Sequence, residues 1–405
     1  MSVITVFNGL FCEAGVVVKR VVDATGSRLV SDQEIVADAS ALSGLAEDKI
    51  ARAFQAKTSV FNAFSHEKEQ AIAWMRLAMA NKLAESTELV FPGFVSQLAD
   101  ADINHVLKVC LISEMKDRLA VAERDEGFAE KHAMKLVRKD DEDRAAWVKT
   151  LRGVDDPWTG TLYDIVVPVG STGVEKSADL IVEQLSNAAV QVTDASRAKV
   201  QDFLLAARVE TVLAREGHSV LVSADSGVVS LTINKHVLML EKLENELAGI
   251  VSGIEGVKDV KTGVGQGFHK TDIYRKADFD IPSKVLLVDD EREFVQTLSE
   301  RLMMRDMGSA VVYDGESALN LVREDEPEVM ILDLKMPGID GIEVLRRVKG
   351  EHPEVEVIIL TGHGSEQDRE TCMDLGAFAY LHKPVDIDVL SQTLKAANEK
   401  IRAAK

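Results

Sequence analysis

Five polar residues in the last third of the chain have the types and the spacing to handle a phosphoryl group. Asp289 and Asp290 close an apolar run that begins at Val285, Asp333 closes the run from Val329 to Leu332, Thr361 follows the run from Val355 to Leu360, and Lys383 lies just past Phe378 to Leu381. Three carboxylates held in one place cannot all stay ionised without a counter-charge, so their convergence implies a hard cation. Magnesium, Mg2+, fits best, because it accepts few carboxylates and leaves room for phosphate oxygens. Lys383 would set a fixed positive charge beside a phosphoryl group and Thr361 a hydroxyl donor. Each residue alone reads as a polar group at a loop tip. All of them at equivalent places in successive segments read as one site.

For these residues to meet, the segments carrying them must be parallel strands. Uncharged runs such as Val285 to Val288 and Val329 to Leu332 have no polar alternation, as expected for strands buried on both faces. Helical patterns lie between them, at Phe294 to Met304, Ser317 to Val322, Gly341 to Val348, Glu366 to Leu375 and Ile387 to Ile401. With Ala310 to Tyr313 as a short strand, the expectation is five parallel strands alternating with five helices. In such open sheets ligands bind beyond the carboxyl ends of the strands, where all five residues fall.

On these motifs, residues 283 to 405 resemble the receiver domain of two-component response regulators, a flavodoxin-like five-stranded fold. The resemblance makes Asp333 the phosphoacceptor, Asp289 and Asp290 the acidic metal-binding pair, and the backbone carbonyl of Lys335 a further metal ligand. It makes Thr361 the switch hydroxyl, Lys383 the basic residue of the site and Tyr380 the aromatic that moves on phosphorylation. It also implies a cis peptide at Lys383–Pro384, an isomer essentially confined to X-Pro bonds. The implied chemistry is attack by the Asp333 carboxylate on a phosphohistidine of a sensor histidine kinase. Receivers often pair through the face holding their fourth and fifth helices, so a homodimer stays open.

Bulk properties narrow the class. With 405 residues, 46% hydrophobic and 28% charged, the chain is long enough for two or three globular domains. Its formal net charge of −20 argues against a nucleic-acid partner. Cys12, Cys110 and Cys372 have neither metal nor disulfide spacing, and fit a reducing compartment as buried small hydrophobes. The N-terminus lacks the pattern of a signal peptide, and no uncharged run approaches the ~20 residues of a membrane span. The expectation is a cytoplasmic protein, with its output upstream of the receiver-like segment.

The first region opens with a strand, Val3 to Phe7, a loop from Asn8 to Gly15 and a helical stretch from Val16 to Asp23, the setting of a phosphate-binding loop. The chemistry of that loop is missing. Gly9 and Gly15 are one residue too far apart for G-x-x-x-x-G-K-S/T, Val16 and Val17 replace the lysine and hydroxyl, and Glu13 would oppose a phosphate. The strand Val106 to Ile112, Arg118, Arg124, the acidic stretch Asp140 to Arg144 and Leu162 to Val167 follow. Over residues 1 to 190 this succession resembles the cytidylate kinase-like family of P-loop kinases. Ser31 to Glu34, Arg118, Asp140 to Arg144 and Tyr163-Asp164 keep its landmarks; the loop and Phe91 to Phe94, where the family carries a glycine-arginine pair, depart from it. Two readings follow. One is a kinase-derived fold that has lost transfer and kept a binding surface, with no activity beyond the receiver's own phosphoacceptance and dephosphorylation. The alternative is an ATP-dependent nucleoside monophosphate kinase under receiver control, with Lys19 or Arg20 replacing the missing lysine. Arg118, Arg124 and Arg144 are candidate anion ligands, against surface ion pairing as the plain explanation.

From residue 194 to 265 the pattern is an amphipathic helix (Lys199 to Arg215), a hairpin (Ser219 to Ser223 and Val228 to Thr232, turning at Asp225 to Gly227), a helix (Val237 to Val251) and a strand (Gly256 to Val260). This order, with Gly227 and Gly256-Val257, resembles the BON domain, a small α+β family associated with phospholipid or small-ligand binding. The segment lacks a polybasic face, so a contact module is preferred to membrane binding. Residues 266 to 282 read as the linker. The sequence names neither the cognate sensor nor the output protein.

Overall fold

The computed structural model describes residues 2–237, 239–265, 267–268 and 280–404. They form an α/β protein with two parallel sheets and one smaller mixed sheet. The described residues fall into two compact units: one holds 2–58, 67–215 and the described part of 219–268, the other 59–66, 216–218 and 280–404. Most of the linker expected at 266 to 282 lies outside the described residues.

The first unit is built on β1 (Val3–Asn8), β2 (Arg28–Leu29), β3 (Leu89–Pro92), β4 (Val106–Ile112) and β5 (Ile165–Pro168), parallel in the order β2-β3-β1-β4-β5. β1 is central, so its side chains alternate between two cores. Ile4 and Val6 face the helices Ala14–Thr25 and Val174–Gln184, whereas Val3 and Phe7 face the long helix Glu67–Glu85. The same core takes in Val200, Phe203, Leu204 and Ala207 of the helix Asp194–Arg215. That helix precedes β6 (Leu221–Asp225), β7 (Val228–Ile233), the helix Leu240–Ser252 and β8 (Asp259–Val264), the helix, hairpin, helix, strand order read from the sequence. Ser226 and Gly227, with φ of 54° and 92°, make the β6–β7 turn. The last strand begins at Asp259 instead of Gly256, because Gly256 has φ of 95° and Val257 N–H closes a turn onto Ile254.

The second unit carries β9 (Val285–Val288), β10 (Ser309–Val312), β11 (Val329–Leu332), β12 (Glu356–Thr361) and β13 (Ala379–His382), parallel in the order β10-β9-β11-β12-β13. Every residue of β9, β11 and β12 is buried, which accounts for the unbroken apolar character of β9 and β11 and of Val357 to Leu360 in β12. Helices cover both faces, Gly315–Glu324 and Gly341–Glu351 on one, Arg292–Met303 and Ile387–Ala404 on the other. Phe61, wholly buried, belongs to the core of the first of these faces, and its neighbour Val60 donates its N–H to Asp325 at 2.8 Å. Strand order reverses at β9, so the ends of β9 and β11 flank a crevice.

Candidate functional site

β9 and β11 are paired in register, Val288 beside Leu332, so the next residue of each strand, Asp289 and Asp333, emerges side by side at the crevice. One carboxylate oxygen from each of Asp289, Asp290 and Asp333 lies within 4.8 Å of the others. Asp289 and Asp333 are buried and Asp290 is exposed, so the cluster opens to solvent on one side. β13 brings the fourth group. His382 pairs with Thr361 and Lys383 N–H donates to the Thr361 carbonyl at 2.9 Å, which turns the Lys383 side chain over the acids. Its Nζ lies 2.7 Å from Asp289, 2.9 Å from Glu291 and 3.8 Å from Asp333, and 4.5 Å from the Phe294 ring centre. The Lys383–Pro384 peptide is cis.

The electrostatics follow from this packing. Burial raises Asp289 above its ordinary pKa, with the Asp333 charge adding to it and Lys383 opposing it. Burial alone would depress Lys383, but hydrogen bonds to Asp289 and Glu291 hold the ammonium above its ordinary range. Asp333 Oδ2 accepts the Lys335 N–H at 3.1 Å, while its Oδ1 is buried without a hydrogen-bond partner. Lys383 at 3.8 Å lends that oxygen charge but no hydrogen bond. Three clustered carboxylates, one with an orphaned oxygen, suit a small hard cation that keeps part of its hydration. Thr361 is fully buried, its Oγ1 accepting the His363 N–H at 3.3 Å. Tyr380 is half-buried with its hydroxyl enclosed and unpartnered, and burial raises its pKa.

Several contributors were not singled out from the sequence. Glu291 shares Lys383 with Asp289; it lies next to the acidic pair but carries no signal of its own. Gly341 opens the helix behind Asp333, and a Cβ there would stand 2.2 Å from the Asp333 carbonyl oxygen. Gly364 leaves room for the Tyr380 hydroxyl, which would be 1.8 Å from an added Cβ. Both glycines are required by close approach, which no periodicity reveals.

The arginines of the first unit do come together around the loop after β1, but each is met by a carboxylate. Arg118 makes two bonds of 2.9 Å to Asp141 and donates Nε–H to the Leu10 carbonyl at 2.7 Å. Arg144 donates to Asp140 at 2.6 Å, and the same Asp140 oxygen accepts the Leu10 N–H at 3.2 Å. Arg124 pairs with Glu13 at 2.9 Å and with Asp125 at 2.6 Å. Asp140, Asp141 and Glu13 thus take the Leu10 N–H and the guanidinium groups that a phosphate would use. Phe11 and Glu13 sit in the loop at φ of 59° and 57°, a conformation costly for side-chain-bearing residues. Phe94, at the position where an arginine was sought, is instead covered by the Arg144 guanidinium, 4.5 Å from its ring centre. Lys19 is exposed and Arg20 pairs with Glu175 at 3.1 Å.

Comparison with known proteins agrees with this geometry. Residues 285–395 match the family model of the response regulator receiver domain, and residues 3–171 that of the cytidylate kinase-like family. Over 114 residues the chain is 40% identical to the transcriptional regulatory protein CpxR of Escherichia coli K12, covering 28% of this chain and 48% of that protein. Over 113 residues it is 32% identical to the response regulator MprA of Mycobacterium tuberculosis H37Rv, covering 28% and 49%. The chain therefore spans about half the length of the curated relatives it matches. A crystal structure of a response regulator receiver domain protein from Clostridium thermocellum is 32% identical, covering 30% of this chain and 98% of that one, with a TM-score of 0.29. The carboxyl-terminal segment is a response regulator receiver domain, joined in one chain to an amino-terminal segment that matches the cytidylate kinase-like family.

Proposed function

We propose that the protein is a phosphorylation-dependent switch of a two-component system that takes a phosphoryl group from a sensor histidine kinase onto Asp333. The observation that carries this reading is the buried Asp333 Oδ1, without a hydrogen-bond partner and 3.8 Å from Lys383. An unpartnered oxygen in that position is placed to act as a nucleophile facing a cation. It would attack the phosphorus of a phosphohistidine, forming a P–O bond to Asp333 while the P–N bond breaks and its electron pair returns to the donor imidazole. Lys383, already held protonated by Asp289 and Glu291, would neutralise the transferred group. Asp289, Asp290, Asp333 and the Lys335 carbonyl would hold Mg2+, which when bound supplies the charge neutralisation that phosphoryl transfer needs.

The switch would run through Thr361 and Tyr380. The Thr361 oxygen now accepts the His363 N–H, and the new phosphoryl oxygens would offer its hydroxyl proton a charged acceptor, drawing it inward. Tyr380, whose hydroxyl lacks a partner, would follow into the space beside it, and a charge change would thereby bias two arrangements of one surface. The kinase-like segment would then act as a binding or contact module under this control. Its phosphate loop lacks the lysine and hydroxyl of transfer, and its arginines are neutralised by Asp140, Asp141 and Glu13. The BON-like segment would be a further contact module, within residues 194 to 265. A cytoplasmic place of action goes with three unpaired cysteines.

The test is incubation with phosphoramidate in the presence of Mg2+. Labelling of the wild type, loss of it with a chelator and loss of it in Asp333→Asn are expected; undiminished labelling of Asp333→Asn refutes the proposal.

A further inference from the structure

A groove of about 310 Å³ in the first unit has no part in the chemistry above. Its walls are the end of the helix Glu67–Glu85 with the following Ser86 and Thr87, His105 ahead of β4, and Arg197 and Gln201 in the first turns of the helix Asp194–Arg215. His105 is wholly buried, and neither ring nitrogen has a hydrogen-bond partner. A neutral imidazole carries one donor and one acceptor, and leaving both unmet away from water is unfavourable. A buried group in that state calls for an occupant.

The charge layout says what kind. Arg197 is exposed and makes no ion pair among the described residues, whereas Arg20, Arg76, Arg118 and Arg144 of this unit are each tied to a carboxylate. Its charge reaches the His105 ring, because it helps to hold that imidazole below its ordinary pKa. The helix bearing Arg197 presents its positive amino-terminal turns to the groove, while the helix ending at Glu85 presents its negative carboxyl end together with the Glu85 side chain. A simple anion would be attracted by one wall and repelled by the other. A small zwitterion matches both.

We infer that this groove is a binding site for a free α-amino acid. Its carboxylate would pair with Arg197 and accept from His105, and its ammonium group would lie toward Glu85 and the last carbonyls of the Glu67–Glu85 helix. The Ser86 hydroxyl, whose oxygen accepts the Glu88 N–H at 3.1 Å, can still donate to the carboxylate. The site is independent of Asp333, so its occupancy and the phosphoryl chemistry can be assayed separately.

The test is a titration of the full chain, labelled with 15N-histidine, with individual α-amino acids, sodium acetate and sodium phosphate. The His105 ring signals are assigned by their loss in His105→Gln. The proposal predicts a saturable shift of the His105 signals with at least one α-amino acid, and a rise in its dissociation constant of about tenfold or more in Arg197→Gln, an exposed site where folding is not at risk. Three results would overturn it: His105 signals unmoved by every amino acid, as for a groove that holds only water; an equal response to acetate or phosphate; or the same affinity in Arg197→Gln.

Discussion

At the scale of single residues, the receiver site is a balance of three acids against one committed lysine. Lys383 touches Asp289 and Glu291 and approaches Asp333, so replacing it leaves buried negative charge unanswered. Lys383→Gln is expected to slow phosphoryl uptake from phosphoramidate by about 100-fold or more, the usual cost of losing one positioned donor, while circular dichroism shows the fold intact. The lone histidine of the first unit's groove makes a second prediction with a definite sign. Burial and Arg197 hold His105 below its ordinary value of 6.5, so the unfolded chain binds the proton more readily than the folded one. Stability should therefore fall as pH drops from 6.5 toward the lowered value. Urea unfolding between pH 7 and 5, without added ligand, should show a smaller loss in His105→Gln than in the wild type. The charged side chains lining the same groove are Arg197 and Glu85.

At the scale of elements, what was legible in the sequence depended on whether burial left a periodic trace. β9 and β11 are buried throughout and stand out as uncharged runs, β12 is buried and interrupted only by Glu356, and the residue at the end of each marks the crevice. Asp289, Asp333 and Thr361 could thus be named from spacing, and Lys383 from its place just past the apolar stretch of β13. Close approaches leave no such trace. Gly341 looks like any glycine at a helix start, yet Gly341→Ala would drive a methyl group against the Asp333 carbonyl. That variant should lose about 1–3 kcal/mol in urea unfolding and lose phosphoacceptance with it. Contacts between distant segments were equally hidden. Phe61 lies in a short stretch without periodicity, more than two hundred residues before β9, yet it is buried in the second unit's core. Leu10 and Asp140, joined by a hydrogen bond, are 130 residues apart. Arg118, Arg124 and Arg144 were visible in the sequence; that Asp141, Glu13 and Asp140 would cancel them was not.

On the scale of the whole molecule, one chain joins a receiver whose acids and lysine converge at one crevice to a kinase-like segment whose Arg118, Arg124 and Arg144 are each met by a carboxylate. The pair of buried Arg118 with half-buried Asp141 is structural on this account. Arg118→Ala should destabilise the protein by about 1–3 kcal/mol, because it removes the packed guanidinium and leaves Asp141 without its partner beside the loop. A coupled assay with ATP and cytidine monophosphate should show no turnover in the wild type for that substitution to abolish. With a net charge of −20, the protein should also stay unbound to duplex DNA at low salt. All of this rests on where the phosphoryl group goes. Borohydride reduces an acyl phosphate to the alcohol, so peptide mapping after phosphoramidate, Mg2+ and borohydride locates it directly. The account predicts the alcohol at position 333 and at no other carboxylate. Reduction at Asp289, Asp290 or elsewhere, with position 333 untouched, would contradict it.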